Sequence, residues 1–139
     1  MIYTTYFSNL KNLPKNIVPI SICAKAPQSW RGLQYKKLAP KYGFFTAGKK
    51  MCRNVNKDKQ NDANVYYIEH YQQEVLKNLN VDQVVKELKS LCEKCIQEDL
   101  ETDIALVCYE KPEDFCHRHL VAQWLNENGY KCKEIDVRT

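Results

Sequence analysis

Directly after Cys108 and Tyr109 the chain reads EKPEDFCHR, residues 110–118. A carboxylate (Glu110), a thiol (Cys116), an imidazole (His117) and a guanidinium (Arg118) fall in one short stretch. Glu110, if partly buried, suits general acid or base work. Cys116 is a candidate nucleophile, because a helix start and a protonated His117 both favour its thiolate. The familiar phosphatase-like Cys-x5-Arg loop is absent. Arg118 offers a planar, two-pronged grip on phosphate or carboxylate. Each residue also has a plainer reading. Cys108 is a small core hydrophobe on a buried strand. Cys116 and His117 extend a packed helix face. Arg118 lies on the surface or pairs with Glu110 or Asp114, and His119 is exposed. That all the plain readings hold within so short a segment is the weaker alternative.

The same atoms suit a metal. Cys108, Cys116, His117 or His119, and Cys132 on the last strand supply zinc-type donors, although at irregular spacing. Zinc is therefore the alternative cofactor, and no cofactor is the primary expectation. A second cysteine pair, Cys92 and Cys95, forms a CxxC. Both members sit on the apolar stripe of a helix near its end. A redox CxxC sits where a helix begins, where the positive helix end lowers the thiol pKa. Core packing is the favoured reading for this pair.

The elements that must position the junction follow from periodicity. Residues 2–9 (IYTTYFSN) and 17–24 (IVPISICA) read as strands, the second almost continuously apolar and so buried. LQYKKLAPKYG has room for a short helical turn before Pro40. Residues 43–63 read as a long polar loop. Asn64 is placed to cap a helix through 65–79, and 81–97 is a clearer amphipathic helix with Val81, Val84, Val85, Leu88, Leu91 and Cys92 on one stripe. Residues 103–110 form a buried strand. PEDFCHRHLVAQWLNEN reads as a helix, with Pro112 suited to a first turn, its working end near Cys116 and Gly129 as its stop. KCKEIDV alternates as a last strand. Strand, helix and strand with short connections make a βαβ unit. The expected fold is a single α/β domain over 1–139, with a mostly parallel sheet flanked by helices. In such sheets ligands bind beyond the carboxyl ends of the strands, where Cys108 to Glu110 would stand.

The chain of 139 residues is long enough for one real core. It has no apolar run of membrane-spanning length and no signal-peptide pattern. Seven cysteines, an odd number, then read as thiols or metal ligands in a reducing cytoplasm. The net charge of +4 is mild, and much of it comes from Lys41, Lys49, Lys50, Arg53, Lys57 and Lys59. That cluster is a solvated basic loop or, on the sharper reading, a lip that attracts phosphate. Trp30 and Tyr35, following the second strand, offer faces on which a base would stack. The expected partners are a small anionic ligand or nucleic acid, not a membrane. Three classes stay open: an enzyme acting on a nucleotide, nucleic acid or other phosphate-bearing ligand, a zinc-binding protein, and a non-catalytic module that sequesters a nucleotide or blocks a partner.

The stretch ALVCYEKPEDFCHRHLVAQWL resembles the signature of the domain of unknown function numbered four-eight-eight, a family of bacteria, archaea and phages. Its members carry a strand ending in Cys-x-Glu, a short loop, and a helix opening with Cys-His-Arg. Cys108, Glu110, Cys116, His117 and Arg118 match that pattern position by position. ISICAKAPQSWRGLQYKKLAP looks like one subgroup, with a proline-tryptophan loop and a Leu-Ala-Pro after the second strand. The commoner branch has Asp-x-Arg at the end of an early strand, where this chain has Cys23, Ala24 and Lys25. The resemblance implies an α/β fold and a shared site, and supplies no reaction.

Overall fold

The computed structural model describes residues 1–40, 57–95, 103–109 and 116–135, of which 57–64 and 94–95 are described by backbone alone. Five strands form one sheet: β1 (Ile2–Tyr6), β2 (Ile17–Ser21), β3 (Leu33–Gln34), β4 (Asp103–Cys108) and β5 (Cys132–Glu134). Three helices accompany them: α1 (Lys57–Glu74), α2 (Val81–Cys95) and α3 (His117–Glu127). The sheet order is β3-β2-β4-β1-β5, and every pairing is parallel. The α/β fold and the carboxy-terminal βαβ unit, β4-α3-β5, are as the sequence implies.

Several boundaries differ. The first strand ends at Tyr6, and Phe7–Asn12 coils into a 3-10 turn. The buried Asn9 draws the chain off the ladder there, donating to Thr5 Oγ1 and to the carbonyl of Ile135, both at 3.0 Å. Helix α1 begins at Lys57, so the later part of the expected polar loop is helical. Apolar periodicity marks only faces that pack, and 57–63 has no apolar residue except Ala63. Helix α3 begins at His117, with Cys116 in extended conformation (φ −154°, ψ 145°) rather than in the helix. Pro112 and the acidic residues after it lie outside the described residues, as do the basic cluster at 41–56 and Glu110. Gly129 stops α3 as expected. It adopts φ +88°, a conformation few other residues tolerate, and lets Tyr130 N–H reach the Leu125 carbonyl at 2.9 Å.

Pro19 stands inside β2 without an N–H to give. Ile22 N–H reaches Val107 on β4, and Tyr35 N–H reaches Ser21 on the β3 side. By the alternation of a strand, the missing donor of Pro19 faces β3, which pairs only with Ile20 and Ser21. β4 is the middle strand, and Ile104 through Cys108 are all buried. Ile104, Leu106 and Cys108 share one sheet face with Ile2 and Ile20, and join Tyr67, Tyr71, Val84, Leu88, Val121 and Leu125 in one core. Burial of each such side chain contributes ~1.5–3 kcal/mol.

The topology sets a switch point between two strands. β1 and β4 are neighbours, but the chain leaves β1 toward β2 and leaves β4 toward β5, on opposite sides. Right-handed crossovers then pass over opposite faces of the sheet, and in such sheets ligands bind beyond the carboxyl ends of the two strands at that point. Tyr6 and Cys108 end them, paired in register.

Candidate functional site

Four elements deliver side chains to this end of the sheet. β1 ends in Tyr6, β4 in Cys108, the chain beyond β2 carries Ile22 and Cys23, and α3 opens with Cys116, His117 and Arg118. Cys116, His117 and Arg118, expected from the sequence to act together, are all buried and all meet at this junction. Cys108 joins them. Its Sγ lies 3.4 Å from His117 Nε2 and 3.9 Å from Nδ1, while Cys116 Sγ lies 4.0 Å from Nδ1.

The imidazole is anchored. Its Nε2 lies 2.8 Å from the carbonyl of Ile22, so that nitrogen carries the proton and donates. Nδ1 keeps its lone pair, with Cys116 Sγ at 4.0 Å, while Cys108 Sγ stands nearer to Nε2. Tyr71, wholly buried on α1, packs its ring 5.5 Å from the His117 ring and donates its hydroxyl to the Leu38 carbonyl at 2.5 Å. Cys23 completes the group. Its thiol lies 3.8 Å from the Val107 carbonyl, and Cys108 and His117 lower its pKa against the cost of burial. In the sequence, Cys23 stands out only as the occupant of an Asp-x-Arg position.

The electrostatics are coupled. Cys108 holds the Cys116 thiol well below its ordinary pKa by hydrogen bonding, and His117 and Arg118 add to this against the cost of burial. Burial pushes the Cys108 thiol far up. Burial works against charge on His117, but Cys116, the Ile22 carbonyl and Cys23 outweigh it and raise its pKa. A nucleophile must also meet its substrate, and Cys116 and Cys108 are 3% and 0% exposed.

Arg118 is fully buried, with its guanidinium carbon 5.9 Å from the centre of the Tyr6 ring. Nε and Nη2 donate to the two carboxylate oxygens of Glu134 on β5, at 2.9 and 3.0 Å. Thr4 Oγ1 donates to the same carboxylate at 2.6 Å. The partner among the described residues is thus Glu134; Glu110 and Asp114, considered from the sequence, lie outside them. The third nitrogen, Nη1, is buried and has no hydrogen-bond partner among the described residues.

The remaining expected residues separate. Cys132 pairs in register with Ile2 at the start of β1, whereas Cys108 pairs with Tyr6 at its end, so β1 intervenes and the two thiols are apart. Tyr35 is buried, with its hydroxyl bonded to Glu87 of α2, away from the junction. Trp30 packs edge-on against Phe7 at 5.3 Å and donates Nε1–H to the Leu33 carbonyl, and Phe7 in turn meets Tyr109 at 5.1 Å. Cys92 is buried in the core, in keeping with packing rather than redox work, and the side chain of Cys95 is outside the described residues. Among the described residues no helix is long and apolar enough to cross a membrane.

Residues 8–129 match the family model of the active DUF488-N3 subclade. The chain belongs to the DUF488 family. No curated protein and no solved structure matches it. The stretch matched to DUF488 contains Cys23, Cys108, Cys116, His117 and Arg118. It ends at Gly129, so Glu134 and Cys132 lie beyond it.

Proposed function

We propose that this DUF488 chain is an enzyme that acts on a phosphate-bearing ligand, a nucleotide or a nucleic acid, in the crevice where β4 meets α3. The observation that carries the reading is Arg118 Nη1. A buried cationic donor without a partner costs about 1–3 kcal/mol or more, and sites that keep one are commonly functional. A phosphate oxygen satisfies it. Glu134 holds the other two nitrogens, so the guanidinium is fixed before the ligand arrives. The first N–H groups of α3 have no side-chain cap, which adds a second source of attraction for an anion. Glu110, next to this junction in sequence, is the acid or base of the proposal. Arg118 is enclosed in the ligand-free chain, so entry of a phosphate requires displacement of what covers Nη1.

Thermal-shift titrations with inorganic phosphate and nucleoside phosphates test the reading. The native chain melts higher with the ligand. Arg118→Lys keeps the charge but loses the fork, and the shift disappears. Glu110→Gln abolishes turnover and leaves the shift intact. A shift that persists undiminished in Arg118→Lys, or that no phosphate compound produces, overturns the assignment.

A further inference from the structure

We infer that the aromatic cluster of Phe7, Trp30 and Tyr109, with Lys25 and Arg31 beside it, is a binding surface for single-stranded nucleic acid. The inference rests on the phosphate reading and names its substrate class: a strand whose bases stack on Trp30 and Tyr109 while one of its phosphates meets Arg118.

The rings stand at the switch point. Phe7 and Tyr109 each follow by one residue Tyr6 and Cys108, the register pair that ends β1 and β4. The Phe7 ring lies edge-on to both of its neighbours, 5.1 Å from the Tyr109 ring and 5.3 Å from that of Trp30. Arg118 is on the same edge of the sheet, its guanidinium carbon 5.9 Å from the Tyr6 ring. Two of the rings are pinned by their polar atoms. The Tyr109 hydroxyl donates to the Lys25 carbonyl at 2.7 Å, and Trp30 Nε1–H to the Leu33 carbonyl at 3.1 Å. The indole also lies so close to Gly32 that a Cβ there would stand 2.5 Å from it. Tyr109 nevertheless keeps 50% of its surface in water, which among the described large apolar side chains only Met1 and Val65 resemble. A lone exposed ring needs no explanation, but this one belongs to a contiguous trio where such sheets bind ligands. Rings oriented in advance lower the ordering cost of stacking.

The charge around them has one sign. Residues 1–40 hold six lysines and arginines and no aspartate or glutamate, in a chain with 17 acidic residues. All six cations are exposed. Lys37 pairs with Glu87 on α2, away from the rings. Lys25 and Arg31 stand beside the rings: Lys25 supplies the carbonyl that Tyr109 grips, and Arg31 follows Trp30. Arg31 Nη1 donates to the Gln28 carbonyl at 2.9 Å, which holds the guanidinium on that turn. Glu110, Glu113 and Asp114 follow Tyr109 in the sequence and lie outside the described residues. Rings interleaved with cations suit a single strand, because each base has a face to stack and each phosphate a charge to neutralise. A duplex keeps those faces covered, and a lone nucleotide has one base for two rings.

Fluorescence anisotropy on the full-length chain, with labelled mixed-sequence DNA and RNA strands of about ten nucleotides, tests the inference. A single strand should bind, and the same sequence annealed into a duplex should bind at least about 5-fold more weakly, the value of one lost stack. Tyr109→Ala and Trp30→Ala should each weaken binding by about 5- to 150-fold, whereas Tyr109→Phe, which keeps the ring, should retain it. Lys25→Gln should lower the slope of log K against log salt by about 0.7. Lys131→Gln, next to Cys132 at the opposite end of the sheet, should leave that slope unchanged. A duplex bound as tightly as the strand overturns the inference, as does Tyr109→Ala binding like the wild type. Absence of strand binding also overturns it, and a melting point that still rises with mononucleotides then leaves the phosphate reading standing. A strand that binds Arg118→Lys as tightly as the wild type, yet is lost with Tyr109→Ala, upholds the aromatic surface and overturns the phosphate grip. The wild-type comparison of strand and duplex decides even where a Trp30 variant fails to fold.

Discussion

Glu134→Ala should be among the most destabilising single substitutions outside the core. It removes two charge-assisted bonds to Arg118, at 2.9 and 3.0 Å, and the Thr4 bond at 2.6 Å. It leaves a fully buried guanidinium with no carboxylate partner among the described residues. Breaking a buried ion pair from one side costs roughly 3–5 kcal/mol, because the remaining charge is uncompensated. The Glu134 side chain is 22% exposed, so water enters once it is truncated, and the lower end, about 3 kcal/mol, applies. Unfolding entropy near ~2.1 cal/mol/K per residue gives ~0.3 kcal/mol/K for a chain of 139 residues, hence a fall of about 10 °C in Tm. The double variant Arg118→Met with Glu134→Leu removes both charges and should recover most of the loss, since an apolar pair of similar volume is often neutral. Urea titrations followed by far-ultraviolet circular dichroism, with matching thermal scans, measure both. A loss under about 0.5 kcal/mol for Glu134→Ala, or a double variant no more stable than the single, refutes the buried-pair argument. The double variant also provides a folded chain without the guanidinium, and its phosphate shift should be absent.

Two further outcomes follow from particular contacts. The Lys37 ammonium, with the Tyr35 hydroxyl, holds the Glu87 carboxyl down to about 2. A depressed carboxyl contributes stability above its unfolded value, near 4.5, and loses it as pH falls toward 2, so Lys37→Met should flatten the acid limb of the stability curve between those values. An acid limb identical in the two proteins contradicts this. Tyr71→Phe deletes the hydroxyl that meets the Leu38 carbonyl at 2.5 Å in a fully buried setting, and should cost about 1–3 kcal/mol by urea titration. An unchanged midpoint contradicts it.

Much of the fold was legible because its signals are local. The apolar run of β4, the stripe of α2, the Gly129 stop and the short β4-α3-β5 connections fix a parallel sheet, with Cys108 at the carboxyl end of β4 and Cys116 at the start of α3. The convergence of Cys108, Cys116, His117 and Arg118 followed from that topology, since a strand end and the next helix start share one edge. What stayed hidden depends on strand order. β5 lies beside β1, so Cys132 falls away from Cys108, and Glu134 meets Arg118. No periodicity reveals that neighbour. Cys23 was within reach of the same rule that singled out Cys108, because it follows β2 at the same carboxyl end of a parallel sheet. Tyr35 shows the opposite error. An aromatic residue near a loop suggests stacking, but its hydroxyl finds Glu87, some fifty positions away, and draws the ring into the core.

The anion site is tested most directly by crystals soaked in tungstate, a heavy mimic of phosphate. A bound phosphate analogue should appear as an anomalous peak within hydrogen-bond distance of Arg118 Nη1, at the start of α3. Tungstate found only elsewhere on the surface, with Nη1 satisfied by a protein group or an ordered water, would contradict the account.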